Sequence, residues 1–323
     1  MLEKLAHVGD QWRARYRTLS TNTPKAQHTR ASLALLYFSV ADPILAPVLY
    51  QPYPTTWPTY TAKEKLADWL EHYSVSQDLV IWHSSYIIDT PSPVYDANDS
   101  RWTLSISHAG KIVILRPAHI ILATGTLGPP RMPTIPGASD FLGQTLHASA
   151  FSGAAPYVGK KVLVVGAANT GADVAQDLYH SGAASVTLLQ RSSTCVVSAA
   201  WMRAHFAREY PDGVPTEVRD FKSAGFPLGL LERIVRKGKA EGKGPQDSEA
   251  DKAMKEGMKK RGFKLNEGWE GLGAYFLVLD RFAGTSLPLP SSRWCALTLV
   301  CRTGHCPYLT LSPFWFGIML TTM

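Results

Sequence analysis

An α/β fold is predicted by three features that follow one another between Lys160 and Thr194. The run KKVLVV is short and apolar and ends at Gly166, as a central parallel strand does. Val174, Ala175 and Leu178 recur at i, i+1 and i+4, which gives the next segment one buried helical face, with Asp173, Gln176 and Asp177 expected to point elsewhere. SVTLLQ then supplies a second strand, so that strand, glycine turn, helix and strand fit within about 30 residues.

That span and order describe a Rossmann-like dinucleotide unit, although its glycine pattern departs from G-x-G-x-x-G. Gly166 permits the tight turn after the strand, and Gly171 lets the helix approach the strand closely. Ala168 holds the middle position, where a glycine normally lets the backbone approach a pyrophosphate. Losing one charge-assisted hydrogen bond there would cost roughly 1.5–3 kcal/mol, and lengthening it should cost less. The helix N-terminus keeps its free amides for phosphate, so Gly166, Ala168, Asn169, Thr170 and Gly171 form the expected phosphate-binding set, weakened at most. Gly182 falls where a left-handed C-cap is wanted.

The second strand ends in Gln190, Arg191, Ser192 and Ser193. An NAD site wants a carboxylate near this point for the ribose 2′-hydroxyl, about 20 positions past the glycines. A guanidinium and hydroxyls suit a 2′-phosphate instead. NADPH is therefore expected over NADH, with Arg191 and Ser192 as its contacts; the plainer alternative is a surface arginine after a strand.

The remaining chain is that of a soluble globular protein: 323 residues, 45% apolar and 18% charged, enough for two domains. The net charge of +7 is spread along the chain. Its one local concentration, residues 233–264, is interrupted by acids and reads as a solvated helix face, so no nucleic-acid partner is expected. KEKLADWLEHY places Leu66, Trp69, Leu70 and Tyr73 on one helical face. RWTLSISHAGKIVIL reads as a hairpin turning near Ala109-Gly110, and HIILATG as an apolar strand. Residues 26–50 form an apolar insertion. Asp42, Pro43 and Pro47 inside it favour a buried or irregular segment over a membrane helix.

Four cysteines, at 195, 295, 301 and 306, form no C-x-x-C, which argues against a dithiol reductase or a standard zinc ribbon, and no metal site is expected. The opening MLEKLAHVGD lacks a secretory pattern, so a reduced, cytoplasmic protein is expected. The domain reading is 1–150, then 151–282 with the nucleotide unit and a charged helical region, then a tail, 283–323, without a clear period.

Several ordered motifs resemble those of flavin-containing monooxygenases, class B flavoprotein monooxygenases, and the likeness is closest to their fungal and plant-type branch. FLGQTLHASAF is similar to the F-x-G-x-x-x-H-x-x-x-[W/F/Y] fingerprint. ILATGTLGPPRMPTIPG is similar to the ATG crossover, and GDQWRARYRTLSTNTPK to the G-[GD]-x-W-R loop and the T-N segment after it. QPYPTTWPTYTAKEKLADWLEHY resembles the family's next stretch. The likeness covers most of residues 1–25 and 50–280.

The resemblance implies two Rossmann-like domains, an FAD domain and an intact NADPH domain, with a small antiparallel β segment. It implies FAD and NADPH as cofactors, and insertion of one oxygen atom from O2 into a small organic substrate through a flavin C4a-hydroperoxide. By motif position Asn22 would lie near the reacting flavin edge as the catalytic residue, with Thr21 and Thr23 beside it. Gln11 and Trp12 would contact the flavin, and Glu3 would hold the FAD ribose. His147 would couple cofactor binding to domain movement, or serve as a hydrogen-bonded structural histidine at a domain junction.

The pattern also departs from the family. The chain opens at what reads as the second strand of the FAD domain, without a first glycine loop, so that domain is expected to be incomplete. Family-like sequence stops near residue 280. The alternatives are a non-catalytic NADP(H)-binding remnant and, within the same class, a Baeyer–Villiger monooxygenase.

Overall fold

The computed structural model describes residues 1–20, 53–54, 56–58, 60–125, 130, 132–133, 135, 137–190, 192–211, 213–214, 216–243, 247–273, 276, 285–286, 298–301 and 318–322. The apolar insertion at 26–50 lies outside them, as do Thr21, Asn22, Thr23 and Arg191. Among the described residues no helix is long and apolar enough to cross a membrane. The fold is mixed α/β and divides into two compact units, Met1–Arg15 with Thr61–Thr126, and Tyr16–Tyr60 with Leu127–Met323.

In the first unit, Leu2 bridges Trp82 in parallel, and the short helix α1 (Asp10–Arg13) packs on α2 (Lys63–Ser76). As the periodicity predicts, α2 buries Leu66 and Trp69, and it adds Ala67. Gly9 makes the α1 turn possible: its φ is +89°, and a Cβ would meet the Ala67 carbonyl oxygen at 2.4 Å. Arg13 then clamps the loop, donating to Val8 O (3.1 Å), Asp10 Oδ1 (2.9 Å), Asp68 Oδ1 (2.8 Å) and Glu71. The buried Lys63 ammonium donates to Arg13 O at 2.8 Å, closing the loop from below.

An antiparallel sheet completes this unit, with β1 (Ser85–Ile87), β2 (Val94–Asp96), β3 (Arg101–His108) and β4 (Lys111–Leu115). The long β3 is its axis, pairing β2 at 101–103, β1 at 106–108 and β4 at 104–108. The predicted hairpin is present. His108 faces Lys111 across a two-residue loop in which Ala109 (φ 47°) and Gly110 (φ 76°) are both left-handed, as a type I′ turn requires. HIILATG departs from expectation: residues 119–125 are not in a strand, and Ile121 and Leu122 are exposed. A parallel strand exists only through its neighbours, and no described residue pairs with this run.

The second unit is built on β5 (Thr145–His147), β6 (Lys161–Val165), α3 (Asn169–His180) and β7 (Ser185–Gln190). β6 and β7 are parallel, in register from Lys161↔Ser185 to Val165↔Leu189. Val162, Val164, Val186 and Leu188 are buried strand residues, and Val174, Ala175 and Leu178 form the predicted buried face of α3. Gly182 (φ +90°) ends α3 as expected, with Ala183 N–H bonded to Leu178 O.

Two α3 residues depart from the sequence reading. Gln176 is buried rather than outward, and Asp173 accepts a 2.7 Å hydrogen bond from the buried Tyr16 hydroxyl. Shielding from water pushes the Asp173 carboxyl up to about 6, with the Tyr16 bond pulling the other way.

Next come β8 (Thr194–Val196), α4 (Ala199–Glu209), α5 (Thr216–Gly225), α6 (Leu228–Ala240), α7 (Glu249–Lys260) and β9 (Leu265–Asn266). A capping box between Ser248 and Asp251 starts α7. Ion pairs lace the basic stretch, including Arg236–Glu232 (2.8 Å), Lys239–Glu267 (2.9 Å) and Lys255–Asp247 (2.7 Å), in keeping with a solvated face.

The tail departs from its aperiodic reading by supplying β10 (Thr285–Ser286), β11 (Thr298–Cys301) and β12 (Ile318–Thr322). One sheet runs β11-β7-β6-β12-β5, with β12 antiparallel to both neighbours, and a second runs β10-β8-β9. Short β-branched and apolar runs such as TLVC pair non-locally, which leaves no period to read.

Two outcomes are expected from this packing. Gly171→Ala would place a Cβ 1.9 Å from the Gly166 carbonyl oxygen, and should destabilise the chain by about 2–4 kcal/mol in urea unfolding. Gly238→Ala, in open space on α6, should instead stabilise it by about 0.5–1 kcal/mol.

Asp173 titrates near 3.8 unfolded and about 6 folded, so its ionised form is disfavoured by the fold. Below the unfolded value there is no penalty, and as pH rises through about 6 the full penalty is present. Asp173→Asn should therefore match the parent stability near pH 4 and exceed it by about 1–3 kcal/mol at pH 8. A gain confined to acid pH in thermal unfolding would contradict this.

Candidate nucleotide-binding site

The site forms where β6 hands over to α3. Gly166 has φ +108°, a conformation open to glycine, and its amide bonds Leu189 O at 2.9 Å across to β7. Gly171 lies so close over the Gly166 carbonyl that no side chain fits between them. The helix consequently starts directly above the end of the strand. Ala168 is its N-cap with φ −87° and ψ −176°, an extended conformation that alanine adopts without strain. The methyl at the middle fingerprint position therefore leaves the turn itself unperturbed.

Among the described residues no side chain caps this helix. The amides of Asn169, Thr170 and Gly171 have no intrahelical acceptor, because first-turn N–H groups never do. Together with the positive end of the helix dipole they form an anion cradle. Asn169 Oδ1 is buried there without a hydrogen-bond partner among the described residues. An uncapped N-terminus and an orphaned acceptor fit a bound nucleotide, whose phosphates take the amides and whose hydroxyl or amide groups can donate.

The end of β7 borders the same loop. Gln190 is buried and turned inward, so it cannot serve as the outward polar group at the strand end. Its Nε2 donates to Thr194 Oγ1 (2.9 Å) and Lys264 O (3.2 Å), while its Oε1 accepts from Lys264 N–H (2.8 Å). Thr194 Oγ1 reaches Ala167 O at 3.5 Å, which links this network to the glycine turn. Ser193 Oγ accepts from Asn266 Nδ2 at 2.9 Å, and Ser192 is exposed. Residues 190–193 include no carboxylate. Sequence reasoning missed Thr194, Lys264 and Asn266, since the last two lie more than 70 positions away and carry no motif.

His147 sits at the end of β5. Its Nδ1 accepts from Ser149 N–H (3.1 Å) and lies 2.8 Å from Ser149 Oγ, capping the 3-10 turn at Ala148–Ala150. Partial burial lowers its pKa, and Nδ1 is the acceptor of the Ser149 N–H bond. These bonds are of the kind a hydrogen-bonded structural histidine makes, and they leave the coupling reading open.

The other expected cofactor residues lie in the first unit. Glu3 Oε1 accepts from Leu5 N–H at 2.9 Å beside the Trp82 bridge, and Gln11 is exposed on α1. Trp12 is buried, with its indole Nε1 lacking a partner among the described residues. A buried, unanswered N–H fits a polar acceptor on a bound cofactor. Thr21, Asn22, Thr23 and Arg191 lie outside the described residues.

Comparison with known proteins agrees with this architecture. Residues 58–209 match the pyridine nucleotide-disulphide oxidoreductase family. Indole-3-pyruvate monooxygenase YUCCA1 of Oryza sativa subsp. japonica is 30% identical over 132 residues, 41% of this chain and 31% of the relative. Flavin-containing monooxygenase 3 of Macaca mulatta is 23% identical over 258 residues, 73% of this chain and 47% of the relative. The chain thus spans less than half the length of these two relatives. The polycyclic ketone monooxygenase of the thermophilic fungus Thermothelomyces thermophila superposes with a TM-score of 0.54 at 15% identity, covering 93% of this chain and 53% of that one, a likeness of fold. In the nucleotide turn, the acid-free sequence after β7 and the ordered sequence motifs, the chain is similar to flavin-containing monooxygenases.

Proposed function

We propose that the chain functions in an NADPH- and FAD-dependent monooxygenase reaction that transfers one oxygen atom of O2 to a small organic molecule. The observation that carries this reading is the uncapped N-terminus of α3, seated on the Gly166–Gly171 contact beside a strand end without a carboxylate. The amides of Asn169, Thr170 and Gly171 would take the NADPH pyrophosphate. Arg191 and Ser192 would take the 2′-phosphate, where a carboxylate would repel it.

The FAD side rests on Glu3 for the ribose and on Gln11 and Trp12 for the flavin, with Asn22, Thr21 and Thr23 at its reacting edge. Bound FAD would supply the oxygen-activating redox chemistry, which belongs to the cofactor rather than to the chain. The chain's own part is to bind, orient and exclude water, and the buried Trp12 suits that role. Oxygen acceptors of the expected kind are soft nucleophiles or carbonyl compounds. The second reading, a non-catalytic NADP(H)-binding protein, rests on the same α3 N-terminus, which would hold NADPH without the flavin side.

Purification separates the two readings. A yellow protein whose NADPH oxidation consumes O2 supports the oxygenase. A colourless protein that binds NADPH and stays inactive with added FAD leaves only the second. Arg191→Ala should raise the NADPH Kd about tenfold or more and leave NADH binding almost unchanged; equal losses would remove Arg191 from the 2′-phosphate role. Ala168→Gly should tighten nucleotide binding by less than about tenfold, since an alanine N-cap costs the turn nothing.

A further inference from the structure

We infer that Gln190 and Asn266 are positioning residues for cofactor selectivity, and that they act by bracketing the turn from β7 to β8. The inference rests on the proposed 2′-phosphate role of residues 191 and 192. That role needs the turn held in one geometry, and the structure shows how the main chain on either side of Arg191 is fixed.

Upstream, the Gln190 amide makes a two-way pairing with the Lys264 backbone, donating to its carbonyl at 3.2 Å and accepting from its N–H at 2.8 Å. The same Nε2 meets Thr194 Oγ1 at 2.9 Å, so Gln190 grips both ends of the turn. Downstream, Thr194 N–H bonds Lys264 O at 2.9 Å, and β8 pairs with β9. Asn266, the last residue of β9, donates from Nδ2 to Ser193 Oγ at 2.9 Å. Its Oδ1 is occupied by Gly268 N–H at 2.9 Å, which fixes the amide's orientation. Residues 264–266 thus hold the turn at 190, 193 and 194, and leave Ser192 exposed between the held points.

Gln190 is 4% exposed. A buried amide satisfied as donor and as acceptor is costly to replace, because an apolar side chain orphans the groups it served. The bracket lies at the adenosine end of the proposed site and reaches the glycine turn through the long 3.5 Å contact of Thr194 Oγ1 with Ala167 O, not through the amides of 169–171. Its loss should therefore weaken the grip on a 2′-phosphate far more than the grip on the pyrophosphate shared by both cofactors.

The test titrates NADPH and NADH against the full chain for the parent, Arg191→Ala, Gln190→Met and Asn266→Ala. Gln190→Met and Asn266→Ala should each raise the NADPH Kd about tenfold, with NADH changed by less than about twofold. If both cofactors weaken by the same factor, or neither weakens, the bracket is only structural and the inference falls. A selective Arg191→Ala beside unselective bracket variants overturns the bracket alone. An unselective Arg191→Ala overturns the 2′-phosphate reading, and the bracket with it. Should Gln190→Met fail to fold, the partly exposed Asn266→Ala decides the matter by itself.

Discussion

The approach of Gly171 to the Gly166 carbonyl is the constraint on which the nucleotide unit depends. A Cβ at 171 would sit 1.9 Å from that oxygen, so the helix can start above the strand only because residue 171 has no side chain. That starting point sets the course of the whole helix. It puts Val174, Ala175 and Leu178 onto the β6–β7 surface, and it directs the free amides of 169–171 past the end of β6. Burial of this face stabilises the unit, and the same placement aims the amides proposed to hold phosphate, so packing and the proposed binding share one contact.

The parts of the fold legible in the sequence are the local ones. The β6–α3–β7 unit, the α2 face, the type I′ hairpin and the Gly182 cap each depend on residues a few positions apart. The features that escaped depend on distant partners. Lys264 and Asn266 enter the site through β8–β9 pairing, and the tail supplies strands because β6, β7 and β8 have edges to fill. The 119–125 run shows the converse, since an apolar sequence without a paired neighbour is not a strand. Gln176 was misplaced because a helical wheel assigns polar residues outward, whereas its neighbours Ala175 and Val174 carry it into the buried side.

Gln190 joins two properties that look separate in the sequence. It ends β7 near the point where an NAD site carries its acid, but its side chain turns inward, so from the sequence alone the substitution reads simply as a lost acceptor. In the structure the same substitution supplies a donor that a carboxylate lacks, and Lys264 O and Thr194 Oγ1 both take it. A carboxylate in this buried place would have to shed its hydration facing a backbone carbonyl, at a cost of several kcal/mol on the order expected for unpaired buried charge. Gln190 thus holds the turn from inside, and residues 191–193 after it bring no acid.

The G-D-x-W-R loop divides its labour in a similar way. Its arginine is consumed internally: Arg13 answers Val8 O, Asp10, Asp68 and Glu71, and its own carbonyl is held by Lys63. A guanidinium with so many partners has little left to offer a ligand, so its contribution is the shape of the loop. Ion pairs at this partial exposure add only modest stability each, but five bonds converging on one short turn restrict it strongly. The restricted turn carries two residues that are not consumed. Trp12 keeps a buried N–H without a partner among the described residues, and Gln11 stays exposed. A buried donor left unanswered costs about 1–3 kcal/mol unless something accepts from it, and an acceptor on the proposed cofactor would remove that cost.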